Sequence, residues 1–200
     1  MHSSLHLENN PLFHRSQELR SRGVEPYAKE FCRTHSLCDI NEQYEGVGAD
    51  IPTQEGLFNI CGRVISVVER GRYLLISIAD QNSTFQLILS PDEVETHTFD
   101  LFNHFVYHGD YLGFTIDYLY REQGYLTGVV KSWCFLTLAH LPIPKNMSIE
   151  RQRAELPMHL ASSFATREKI MYRARILRFT RQFMDKHDVM EINPVCSSIP

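Results

Sequence analysis

The stretch from Asn59 to Leu89, NICGRVISVVERGRYLLISIADQNSTFQLIL, most constrains what this chain can fold into, because it reads as three consecutive antiparallel strands. Arg70 and Gly71 interrupt the first apolar run, and Asp80 to Ser83 interrupt the second. Short polar or glycine-bearing breaks of this kind are hairpin connections. In the second run Leu74, Ile76 and Ile78 alternate with Tyr73, Leu75 and Ser77; in the third, Phe85, Leu87 and Leu89 alternate with Thr84, Gln86 and Ile88. Alternation with period two assigns one set to a core face and the other to a mixed face. Gly62 breaks an otherwise branched run in the first strand and predicts a bulge or a tight corner there.

After the third strand, Ser90-Pro91-Asp92-Glu93 offers an N-cap, a proline at the first helical position and a capping-box acid, so a helix is expected to start there. Val94, Leu101, Phe102 and Phe105 supply its apolar stripe, and Gly109 with Asp110 ends it. Two more apolar runs, Tyr111 to Tyr120 and Tyr125 to Leu138, flank the turn Arg121-Glu122-Gln123-Gly124. Three strands, a helix and two strands is the order of a five-stranded OB barrel; another small barrel or sandwich is the plain alternative. The expected fold class is therefore mainly β with flanking helices.

Upstream, Leu12 to Arg22 suits a short helix stopped by Gly23 and Pro26, and polar Ser36 to Glu55 reads as a linker with a helical turn near Ile40 to Tyr44. Downstream, Leu141-Pro-Ile-Pro-Lys145 closes the barrel, and Phe164 to Lys186 is a long amphipathic helix candidate. Ile170, Ala174, Leu177 and Met184 line one face of it, with Ile176, Phe179 and Phe183 beside them and Arg173, Arg175, Arg178 and Arg181 around the rest. Val189 to Val195 then turns extended. The domain division is 1–57 helix and linker, 58–140 barrel, and 141–200 linker, helix and strand.

The sequence has no basic flank followed by an apolar core at its start and no apolar run long enough to cross a bilayer, so a cytoplasmic protein without a membrane partner is expected. Five cysteines without repeated spacing argue against a disulfide framework. Cys32, His35 and Cys38 are close in sequence but lack a second ligand pair, so no metal is expected; Cys61 and Cys134 read as small core residues. Residues 58–139 carry 5 basic side chains against 9 acidic ones, so any nucleic-acid contact on the barrel has to be local.

The local candidates are Arg63 after Gly62, Arg70 and Arg72 in the first hairpin, and Tyr73 and Gln86 on the mixed face. An OB fold holds oligonucleotides between its first hairpin and the hairpin joining strands four and five, here Arg121 to Gly124. There a tyrosine can stack on a base and an amide can read a base edge. Solvated surface residues are the plain alternative for all five.

The order of these features resembles the front part of class II lysyl-tRNA synthetases. Glu18 to Tyr27, ELRSRGVEPY, is similar to the family's Leu-Arg, Gly and Pro-Tyr lead. CGRVISV, LLISIAD and TFQLIL resemble the first three strands of its anticodon-binding OB domain, with Gly62, Arg63, Asp80 and Gln86 in matching places. LPIPK resembles the domain exit, and Arg167 to Val195 resembles the helix and strand of motif 1, ending at Pro194. The resemblance implies a tRNA anticodon stem-loop as partner and a homodimer through Ile170, Ala174, Leu177, Phe183, Met184 and Pro194. ATP and magnesium are cofactors of the full-length family, not of these residues.

The departures are specific. The family's stacking aromatic in strand two is Leu75 here, a basic residue late in strand one is Val68, and an acid in the last hairpin is Tyr125. The Arg-Tyr-x-Asp-Leu run becomes Leu156-Pro157-Met158-His159-Leu160, and motif 1 is one residue shorter. Motifs 2 and 3 do not follow within the 200 residues, so no catalytic residue is assigned and the chain alone is expected to be inactive. Two other readings stand beside a truncated or fragmentary synthetase: a non-catalytic RNA-binding module, and a dimerisation or docking paralogue. Aspartyl- and asparaginyl-tRNA synthetases share the OB domain and are the nearest alternative within the superfamily.

Overall fold

The computed structural model describes residues 11–46, 58–81, 83–122, 124–141, 143–144 and 147–192. It divides into two units, Met1–Pro144 and Lys145–Pro200.

In the first unit, β1 (Phe58–Arg70), β2 (Tyr73–Ala79), β3 (Thr84–Leu89), β4 (Tyr111–Glu122) and β5 (Tyr125–Thr137) close a barrel in the order β1-β2-β3-β5-β4. All neighbouring pairs are antiparallel except β3 with β5. A helix, Thr96–Phe105, separates β3 from β4, which is the OB arrangement. We number the helices of this unit α1 (Pro11–Ser21), α2 (Leu37–Gln43) and α3 (Thr96–Phe105). Arg70-Gly71-Arg72-Tyr73 joins β1 to β2, with Gly71 at φ 63° as the first central residue of a II′ turn requires.

The alternation in the sequence is realised in the barrel. Leu74, Ile76, Ile78, Phe85, Leu87 and Leu89 are buried with Ile60, Leu112, Phe114, Ile116 and Phe135 in one core. The break in β1 lies at Val64 to Ser66, past Gly62, and leaves Ile65 exposed. Gly62 serves a different need: a Cβ there would lie 3.1 Å from the Ala79 carbonyl oxygen. Cys61 and Cys134 are half-buried, not core. They flank Gly113 on the neighbouring strand, where the Phe31 ring packs so closely that a Cβ would come within 2.5 Å of it.

Ser90-Pro91-Asp92-Glu93 does not begin the helix. The Ser90 hydroxyl accepts from the Asp92 amide, and the Ser90 carbonyl accepts from Glu93 and Val94, which closes a turn that tucks Val94 into the core. The helix follows from Thr96. Part of the expected linker is the helix α2, whose Ser36 and Asp39 form a reciprocal capping box and whose Leu37 and Ile40 are buried.

A buried ion pair fastens α1 to the barrel. Arg15 donates to both Asp110 carboxylate oxygens at 2.8 and 2.7 Å and to the Phe105 carbonyl at 2.8 Å. Asp110 also accepts from the Tyr107 and Ala139 amides. The pair therefore ties α1 to the end of α3, the entry of β4 and the exit of β5, with every carboxylate oxygen satisfied.

The second unit holds α4 (Ile149–Ala154), α5 (Leu156–Ser162) and α6 (Phe164–Lys186). The bounds of α6 match the sequence expectation, and the Ser163 hydroxyl caps it by accepting from the Thr166 amide. No residue of these three helices is buried. Val189 to Ile192 form no strand, and the rest of the expected extended segment, with Pro194, lies outside the described residues. Among the described residues no helix is long and apolar enough to cross a membrane.

Candidate nucleic-acid interface

Strand register sorts the outward residues of the barrel into rows. Val68, Leu75, Ile88, Val129 and Tyr118 are neighbours across all five strands, and Ser66, Ser77, Gln86, Thr127 and Tyr120 form the adjacent row. Arg70 pairs with Tyr73 at the hairpin end. Gln86 and Tyr73 thus share this face, as their alternation in the sequence requires. Thr127 Oγ1 lies 3.5 Å from Gln86 Oε1 and 3.2 Å from the Tyr125 carbonyl, so its one proton is shared between two acceptors. The Gln86 amide NH₂ has two N–H groups that can donate to an incoming acceptor.

Tyr73 is anchored by its hydroxyl. Its hydroxyl donates to Glu122 Oε1 at 3.1 Å, and this bond, with burial, holds the phenol proton above its ordinary range. Arg70 and Arg72 are exposed on either side of Gly71. Arg63 lies elsewhere: it pairs with Ala79, seven residues before Arg70 on β1, or roughly 23 Å of extended strand. Its guanidinium donates to the Gly109 carbonyl at 2.8 Å and stands 5.9 Å from the centre of the Tyr111 ring. By register Arg63 stands in the row next to Gln86, two residues along β2, at the opposite end of the face from Tyr73, Arg70 and Arg72.

The family-matched positions fall on the same face as Gln86. Leu75 is half-buried between Val68, which is exposed, and Ile88. Tyr125 is 64% exposed at the hairpin joining β4 to β5. Arg121 in that hairpin donates to the Gly124 and Tyr44 carbonyls, so it braces the turn against α2.

Sequence reasoning missed the contribution of β4. Tyr118, Tyr120 and Glu122 join Tyr73, Ile88, Ser90, Asp92, Glu93 and Val129 around an open cleft of about 330 Å³. The signal available was the i, i+2, i+4 spacing of Tyr118, Tyr120 and Glu122, which places them on one face of a strand.

On α6, Ile170, Leu177, Phe183 and Met184 are 43%, 45%, 53% and 41% exposed, and Ala174 is exposed with them. Cys32 is exposed, His35 is hydrogen-bonded to Thr34, and Cys38 is bonded to Glu42. Among the described residues no three His, Cys, Asp or Glu side chains converge as a metal site.

No family model matches the chain. It is 29% identical over 180 residues to a lysine–tRNA ligase of Methanoculleus marisnigri, covering 88% of this chain and 35% of that protein. It is 26% identical over 181 residues to the lysine–tRNA ligase of Pediococcus pentosaceus, covering 88% and 36%. The lysine–tRNA ligase of Parasynechococcus marenigrum matches at 29% over 195 residues, covering 92% and 38%. The chain spans little more than a third of the length of these relatives.

Proposed function

As a relative of the lysine–tRNA ligases with an OB barrel at its centre, this chain is, we propose, the tRNA-binding part of such an enzyme, holding the anticodon stem-loop on the face that carries Gln86. The observation that carries the reading is the coincidence of that relationship, over 88% of the chain, with the OB topology. Gln86 would read a base edge, and Arg70 and Arg72 at the adjacent turn would meet the phosphates. Leu75 at the centre of the face offers apolar contact without a π-face, so binding should be weaker than an aromatic would give.

The joining of lysine to tRNA with ATP and magnesium, in the cytoplasm, belongs to the proposal for the complete enzyme. Among the described residues no three His, Cys, Asp or Glu side chains converge to hold a magnesium ion. The exposed apolar face of α6, with Ile170, Ala174, Leu177, Phe183 and Met184, would pair two copies of the chain; Pro194, in the expected strand beyond it, is part of the same proposal.

The test is titration of a labelled anticodon stem-loop into the wild-type chain and Gln86→Ala. A lost hydrogen bond worth about 1 kcal/mol predicts roughly fivefold weaker binding. Equal affinity in the two proteins, or no binding by either, would remove this face from the reading.

A further inference from the structure

The cleft on the Gln86 face has a chemistry of its own. Three tyrosines, Tyr73, Tyr118 and Tyr120, stand around it with Ile88 and Val129 as apolar lining. The rings of Tyr118 and Tyr120 are 6.4 Å apart and inclined by 36°. Every charged side chain that lines it is acidic: Asp92, Glu93 and Glu122. Arg70 lies near enough to influence Tyr73, but it is not among the lining residues.

Two of the carboxylates are held in place by the tyrosines. Tyr73 donates to Glu122 Oε1 at 3.1 Å and Tyr118 to Glu93 Oε1 at 3.4 Å. Glu122 Oε2 is sealed from water and has no hydrogen-bond partner among the described residues, and no cationic side chain among them lines the cleft. A buried carboxylate oxygen without a partner is costly, and that cost falls when positive charge comes near it. Tyrosine faces attract cations through their quadrupole, and the attraction grows where water is excluded. Burial first, and then the Glu122 carboxylate, hold the Tyr120 phenol neutral well past ordinary pH.

We propose that this cleft binds an organic cation, an alkylammonium or alkylguanidinium group, with its charge over the tyrosine rings beside Glu122 and its alkyl stem against Ile88 and Val129. The acidic lining disfavours phosphate or carboxylate ligands at the same place. The chemistry is shared by a free amine and by a Lys or Arg side chain of a peptide. The cleft takes in Tyr73, Ile88, Val129, Tyr118 and Tyr120 of the Gln86 face, so a cation there and an RNA strand on that face would compete.

The probes are n-butylammonium, n-butylguanidinium, and the blocked tripeptides Gly-Lys-Gly and Gly-Arg-Gly, each titrated into the ¹⁵N-labelled chain and followed by amide chemical shifts. n-Butanol and pentanoate are the neutral and anionic controls. Saturable shifts centred on Tyr118, Tyr120 and Glu122 are expected with the cations and not with the controls. Tighter binding of the tripeptides would identify a peptide side chain as the occupant; equal or weaker binding would identify a free amine. Glu122→Gln, which keeps an acceptor for Tyr73, and Tyr118→Leu should each weaken binding at least fivefold while the rest of the spectrum shows an intact barrel. Butanol matching butylammonium, unchanged affinity in a folded Glu122→Gln, or no saturable shift with any cation would overturn the proposal.

Discussion

Ile76 and Leu177 are both aliphatic residues on regular elements, yet Ile76 is 0% exposed and Leu177 is 45% exposed. Ile76 sits on β2, whose neighbours on both sides belong to a closed barrel, so each inward side chain has cover from the opposite wall. Leu177 sits on α6, an amphipathic helix accompanied among the described residues of its unit by two short helices, and no residue of the three is buried. A barrel completes its own burial because closure leaves no apolar edge. A helix with one apolar stripe does not. The two regions form by similarly clear local signals and differ in whether local form is enough.

The largest expected effect lies at the buried tie between α1 and the barrel. Asp110→Ala leaves the Arg15 guanidinium charged and without its carboxylate in a site where the two side chains are 3% and 0% exposed. Loss of one partner of such a pair costs about 3–5 kcal/mol. Urea unfolding should report that loss, and a cost below about 1 kcal/mol would mean that α1 does not fold as one unit with the barrel. The exposed pair Arg22–Glu18 serves as the internal contrast, with an expected cost of about 0.5 kcal/mol or less.

The second effect sets the two regions directly against each other. Ile76→Ala should cost about 2–5 kcal/mol in unfolding, as cavity-forming core substitutions do. Leu177→Ala should change barrel unfolding by less than about 0.5 kcal/mol and should instead weaken self-association. Sedimentation of the wild-type chain beside Leu177→Ala and Phe183→Glu should show a dimer dissociating more readily in both variants. A wild-type chain that stays monomeric, or a Leu177→Ala cost equal to that of Ile76→Ala, would erase the distinction.

The smallest effect is a titration. The phenols of Tyr111 and Tyr120 are pushed up to about 12, mainly by burial, with Cys61 adding to the first and Glu122 to the second. Unfolded tyrosine ionises near pH 10. Between about pH 10 and pH 12 the unfolded chain therefore loses these protons first, and the stability they support is complete below pH 10 and lost as pH rises through 12. An alkaline difference titration should show a late tyrosinate component that Tyr120→Phe reduces.

Legibility in the sequence follows the range of the interactions. The meander and α6 were readable because period-two alternation and a helical stripe are local, and the residues that carry them also bear the packing. In the sequence α2 shows only as a helical turn near Ile40 to Tyr44 within a linker, because Asn41, Glu42 and Gln43 look like loop composition; the helix starts earlier, at its Ser36–Asp39 capping box. Ser90-Pro91 carried a helix-start pattern that the burial of Val94 turned into a tight turn instead. The Arg15–Asp110 pair spans 95 residues, and no local pattern marks it. The candidate site was half readable for the same reason: Gln86 and Tyr73 follow from alternation, whereas the partnership of Tyr73 with Glu122 and the hydrogen bond of Arg63 to the Gly109 carbonyl depend on closure of the barrel.

The central claim is that the Gln86 face is an anticodon face that lacks its aromatic at Leu75. Leu75→Phe restores a π-face between Val68 and Ile88, and stacking is worth about 1–3 kcal/mol per base. Fluorescence titration of the anticodon stem-loop should therefore show Leu75→Phe binding roughly fivefold to a hundredfold tighter than wild type, with the gain lost when Gln86→Ala is added. An affinity unchanged or reduced by Leu75→Phe, in a protein as stable as wild type, would contradict the account.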